Sequence, residues 1–201
     1  MKKPMKPQPQ TPEASQERDC FGTPFYAFKL LTPFLDPGRR IGYDPACGLK
    51  YLAKAMGTWF GDVPTGDIDP KYNPAVLANF LTYNFKVVNP SHWMIVTNPP
   101  YSISKKFYEK CMDIWVAQGI PFALLIRTDW NQWNIKATQN GAEWVIPTRR
   151  INFITPSGKS GDESQAHFHT GWLTQGLEIG RPVTFAPLSE KDLELIEVPK
   201  G

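Results

Sequence analysis

The sequence predicts an α/β domain built on a parallel sheet. Three observations carry that prediction. Strand-like and helix-like segments take turns from Phe21 to about residue 139, acidic residues, Gly and Pro gather where the strand-like runs end, and the central run IPFALLIRT is apolar up to Arg127, as a strand buried on both faces is. With 41% hydrophobic and 13% aromatic residues, the 201-residue chain can fill one sizeable core but not two domains.

The elements follow in order. Residues 1–19 carry Pro, Gln and Lys with almost nothing apolar, so a disordered basic tail is expected there. The domain proper is expected over 20–187, with an acidic tail, LSEKDLELIEVPKG, at 188–201. Thr23 and Pro24 open FYAFKLLTPFL, which suits a helix with a Thr cap and Pro in its first turn. RRIGYDPACG reads as a short strand ending in a tight turn, KYLAKAMGTWF as a helix, DVPTGDIDP as a second strand and NPAVLANFLTY as a second helix. HWMIVTNPPYS is a strand entering a Pro-rich loop, KKFYEKCMDIWVAQ a helix and NQWNIKATQN a further helix. RRINFIT and QAHFHTGWL then look like two strands joined by a hairpin tip, PSGKSGDES.

Composition narrows the partners. A formal charge of +3 permits an anionic partner without demanding one. The cysteines at 20, 47 and 111 lack metal-ligand spacing and have no secretory leader, which argues against a disulfide framework or a Cys-based zinc site and for a reducing cytoplasm. No apolar run approaches the roughly 20 residues that cross a bilayer, so no membrane partner is expected.

In an open parallel sheet ligands sit beyond the carboxyl ends of the strands, and here those ends read DPACG, DIDP, TNPPYS and RTDW. DPACG offers a glycine where backbone must approach a ligand and a carboxylate to accept from a donor. DIDP sets Asp67 at the next strand end, where a carboxylate accepts both hydroxyls of a ribose. TNPPYS is the sharpest signal. Its prolines fix φ and remove two N–H donors, leaving carbonyls free to accept. Asn98 and a proline carbonyl can then take the two hydrogens of one amino group and weaken the conjugation of its lone pair with an aromatic base, while Tyr101 stacks on that base.

These strings together resemble the S-adenosylmethionine-dependent amino-methyltransferases, specifically the small DNA adenine methyltransferases common in phages and prophages, over about residues 21–175. The resemblance implies a single doubly wound, mostly parallel sheet with an antiparallel C-terminal hairpin, the class I methyltransferase-like fold. It implies S-adenosylmethionine as cofactor, a base-flipped adenine in DNA as substrate, no metal, and a bacterial or phage-infected cytoplasm. Asp44, Ala46 and Gly48 would lie along the methionine part, Thr23 would meet its carboxylate, and Asp67 with Ile68 would hold the ribose and pack on the adenine. Asn84 and Phe85 resemble the family's third motif, at the cofactor's own amino group. Asn98, Pro99, Pro100 and Tyr101 take the catalytic positions. Lys50 departs from the pattern by replacing a second glycine, and a side chain there would crowd the cofactor or point to solvent.

Phe153 is the expected second aromatic around the extruded base, Trp130 a stacking surface, and Lys159 a phosphate contact on the hairpin tip. His167 and His169 share a strand face but have no third ligand in view. RNA adenine or cytosine-N4 methylation would satisfy the same chemistry, as would a protein glutamine. The glutamine methylases carry a long helical domain before the cofactor motif, where this chain has a tail and one helix. A non-catalytic nucleic-acid-binding decoy with a degenerate cofactor site is the rival from another class, motivated by Lys50.

Overall fold

The structure is a computed structural model and describes residues 21–155, 157–158 and 168–198. The strands are β1 (Ile41–Tyr43), β2 (Gly66–Asp67), β3 (Val76–Leu77), β4 (Trp93–Thr97), β5 (Phe122–Arg127), β6 (Glu143–Pro147), β7 (Thr170–Gln175) and β8 (Val183–Ala186). Six of them form one sheet in the order β1-β4-β5-β7-β6-β8, and β2 pairs with β3 separately. Parallel bridges from Ile41 to Asp62 and from Asp44 to Thr65 lay that small pair beside β1. The combined order is therefore 3-2-1-4-5-7-6, with β8 at the far edge. β7 runs antiparallel to β5 and β6, and the remaining pairings are parallel.

Helices α1 (Phe25–Lys29), α2 (Tyr51–Met56), α3 (Ser104–Gln118), α4 (Gln132–Gln139) and α5 (Glu190–Leu193) complete the fold. Period-two alternation divides the strand residues between two cores. Met94, Val96, Ala123 and Leu125 pack with α1 and α2 residues such as Phe28 and Met56. Ile95, Phe122, Leu124 and Ile126 face the other way, onto Phe107, Cys111 and Ile114 of α3 and Ala137 of α4. Burial on both faces explains why these runs carry no polar residue. α4 starts where the Asn131 side chain accepts the Asn134 N–H, and α3 stops at Gly119, whose φ of +66° a side chain would disfavour.

Three expectations need correction. NPAVLANFLTY is not a helix. Val76 and Leu77 pair with Gly66 and Asp67, and beyond them the chain makes a single turn in which the Asn79 side chain accepts the Leu81 N–H and the Asn79 carbonyl accepts from Thr82 and Tyr83. The first helix covers five residues and a 3₁₀ turn over Thr32–Phe34, and its N-cap is Pro24 with no side-chain cap, so Thr23 is free for another bond.

Among the described strands β7 pairs antiparallel with β6, and the pairing expected between RRINFIT and QAHFHTGWL involves residues 165–167, which lie outside the described residues. EWVIP was hidden by its contiguity with α4, and within RRINFIT Ile154 forms an antiparallel bridge with Gly22. The stretch from 188, expected to be an acidic tail, is attached over its described part. Leu188 is buried, and Phe25 and Tyr26 donate their N–H groups to Ile196 and Leu195 carbonyls.

Candidate functional site

Beyond the carboxyl ends of β1, β2 and β4 lies a cavity of about 440 Å³. β1 delivers Asp44, fully buried, and the chain then turns through Gly48 at φ +44° and Lys50 at φ +63° into α2. A Cβ on Gly48 would meet nothing within 4 Å, so this wall of the cavity is bare backbone. β2 closes the turn from the side. Asp67 Oδ2 accepts the Gly48 N–H at 2.9 Å and its Oδ1 accepts the Asp69 N–H at 2.9 Å.

Asp44 carries the strongest electrostatic strain here. Burial, with a smaller push from the Asp67 carboxylate, raises its carboxyl from 3.8 to about 7, against the bonds from Thr97 and the Ala46 N–H. Oδ1 accepts from Thr97 Oγ1 at 2.7 Å and from Ala46 N–H at 3.3 Å, while Oδ2 is buried without a partner among the described residues. A buried acceptor at a cavity wall is the kind of atom a cationic ligand satisfies. Cys47, on the same wall, has its thiol pushed up to about 12 by burial and then by Asp44 and Asp67, so it offers no thiolate at neutral pH.

β4 delivers the NPPY loop. Asn98 and Pro100 line the cavity, Pro99 is buried behind them, and a 3₁₀ turn over Tyr101–Ile103 leads into α3. Asn98 Nδ2 donates to Thr23 Oγ1 at 3.1 Å, and its Oδ1 is buried with no partner among the described residues. The Tyr101 ring meets Phe168 edge-on at 5.2 Å and Phe153 at 6.2 Å.

The cavity thus brings together Thr23, Asp44, Ala46, Gly48, Asp67, Ile68, Asn98 and Pro100. Ile68 is 68% exposed at its rim, an apolar face with nothing on it. Two expected cofactor residues stand elsewhere. Asn84 is exposed outside the lining, and Phe85 is buried against Tyr43, stacked at 4.9 Å. The same dipeptide five residues earlier, Asn79-Phe80, lines the cavity instead. Its repetition in ANF and YNF was the available signal.

Trp130 is 52% exposed with its ring 5.8 Å from Trp144. Phe153 is buried and backs Tyr101 instead of presenting a free face. Lys159 and His167 lie outside the described residues. Sequence reasoning missed Phe168, half-buried on the other side of Tyr101 with the Arg127 guanidinium 4.7 Å over its ring. It passed unnoticed between the two histidines of HFH.

The strand order, the single antiparallel strand and helices on both faces define a class I methyltransferase-like fold. No protein-family model and no curated protein matches the chain. Among solved structures it is similar to the 23S rRNA methyltransferase ErmE, with 17% identity and a TM-score of 0.50 over 75% of this chain and 66% of that one. It is also similar to a dimethyladenosine transferase from Plasmodium falciparum, at 11% identity and a TM-score of 0.49 over 77% of this chain and 62% of that one. The chain spans just under two thirds of each.

Proposed function

We propose that this chain transfers a methyl group from S-adenosylmethionine to the exocyclic amino group of adenine in DNA. One observation carries the reading. Asn98 and Asp44, whose buried Oδ1 and Oδ2 have no partner among the described residues, line one cavity together with the bare turn at Gly48.

The cavity residues fit that cofactor. Asp44 Oδ2 is the acceptor for an ammonium, Gly48 lets a ligand reach the turn, Asp67 accepts ribose hydroxyls with the lone pairs its two backbone bonds leave over, and Ile68 covers one face of a planar base. Lys50, the basis of the decoy reading, lies outside the cavity lining, and its Nζ donates to the Asn73 carbonyl. When bound, S-adenosylmethionine supplies a methyl already activated on a sulfonium, so the chain need only orient the acceptor. Asn98 Oδ1 and a carbonyl of the proline loop take the hydrogens of the target amino group and direct its lone pair. Tyr101 gives the extruded base an aromatic surface, and Phe153 and Phe168 keep that ring in place.

RNA is the second reading, favoured by the likeness to an enzyme described as acting on 23S rRNA. The test is nucleoside mass spectrometry after incubation with deuteromethyl-labelled cofactor and either DNA or RNA. N6-methyldeoxyadenosine from wild-type protein and none from Asn98→Ala is the expected result. Label only in RNA adenosine or in cytosine N4 transfers the reading to that substrate, and no label in any nucleic acid ends it.

A further inference from the structure

We propose that Thr23 is a positioning residue for Asn98: its hydroxyl anchors one end of the Asn98 amide and so places the other end toward the target. This rests on the methyl-transfer reading above. An amide group is nearly symmetric in shape, but only one of its orientations presents an acceptor. The Thr23 hydroxyl can donate as well as accept, so what it fixes is the place and plane of the amide; in the orientation observed Nδ2 donates to Thr23 Oγ1 at 3.1 Å and the oxygen is left over, buried and without a partner among the described residues. The reverse orientation would turn N–H groups on a target amino group, donor against donor.

Thr23 is suited to hold that orientation because it is itself held. It is buried and lies between two fixed neighbours. Gly22 exchanges both backbone hydrogen bonds with Ile154, at 2.7 and 2.8 Å, and Pro24 has its φ fixed at −67°. Three residues on, Tyr26 Oη accepts the Asn152 N–H at 2.7 Å. The hydroxyl therefore arrives from outside the NPPY loop on a clamped backbone, as preorganisation requires. This role differs from a contact with the cofactor's carboxylate, which would appear in cofactor affinity and not in turnover.

Thr23→Val removes the oxygen at constant shape, Thr23→Ala removes it should the second methyl not fit, and Thr23→Ser restores it. The valine or alanine variant is expected to lower kcat roughly 30- to 100-fold, with cofactor Kd by calorimetry within about threefold of wild type. The serine variant should return kcat to within about threefold of wild type. In ¹⁵N spectra the Asn98 side-chain amide should shift on loss of the hydroxyl and return in the serine variant. Wild-type kcat in Thr23→Val, an equal loss in Thr23→Ser, or a loss confined to cofactor Kd would each overturn the proposal. Should wild-type protein methylate nothing, the functional reading fails on its own, and the amide spectrum still decides whether Thr23 orients Asn98.

Discussion

Replacing Asp44 with asparagine is expected to stabilise the fold at pH 8, leave it nearly unchanged at pH 5, and weaken cofactor binding at both. Burial first, then the neighbouring Asp67, raises the folded carboxyl from 3.8 to about 7. Between these values the folded protein keeps a proton that the unfolded chain releases, so wild-type stability falls as pH rises through about 4 to 7. At ~1.36 kcal/mol per tenfold change in proton affinity, the charged form opposes folding by about 4 kcal/mol above that window, as an upper bound. Asparagine keeps an oxygen for Thr97 but puts an NH₂ where Oδ2 had no partner, a pH-independent cost of about 1–3 kcal/mol. The difference between the two proteins should therefore move by about 2–3 kcal/mol from pH 5 to pH 8, ending with the variant ahead by about 1–3. Urea unfolding followed by tryptophan fluorescence at several pH values measures it. A constant offset across pH would refute the argument, because it would mean that Asp44 is ionised in the fold as readily as in water.

Asp67→Ala should lower both cofactor affinity and stability, the latter by about 1–3 kcal/mol, because the Gly48 and Asp69 N–H groups lose their acceptor. Calorimetry and urea unfolding on one preparation separate the two effects, and unchanged stability would show that the staple is dispensable. Lys50→Gly should leave cofactor affinity within about twofold and change stability by less than ~1 kcal/mol, relief of the left-handed φ being offset by backbone entropy and the lost Asn73 contact. A tenfold gain in affinity would mean that the lysine does crowd the cofactor.

The sheet's central strands and the strand-end residues were legible because their signals are local. WMIVT and FALLIR are apolar runs between helical patterns, and DPACG, DIDP and TNPPYS each close a strand. What was not legible depends on partners far along the chain. Thr23 looked like a helix cap until Asn98 stood beside it. RRINFIT reads as a sheet strand, and nothing near it in the chain announces that Gly22 would bridge its Ile154. Val76 and Leu77 pair with a strand of two residues, too short to leave a pattern against the helix-like spacing around them. Asn79-Phe80 and Asn84-Phe85 are identical strings, and only the turn at Asn79 puts one of them at the cavity.

The N-terminal segment has a place in the fold that only later chain can supply. Tyr26 bonds to Asn152, 126 residues on, the Ala27 carbonyl accepts from Trp172 Nε1, 145 residues on, and Phe25 and Tyr26 donate to residues 196 and 195. Synthesised first, this stretch waits for nearly the whole domain before it can be seated. Asp44, Gly48, Asp67 and Asn98, by contrast, all fall within 55 consecutive positions on neighbouring strands. These strand ends are thus close in sequence, whereas the partners that seat the segment around Thr23 are not. A nascent chain stopped near residue 150 would lack Asn152 and Ile154, and with them the bonds that hold Gly22 and Tyr26 on either side of Thr23.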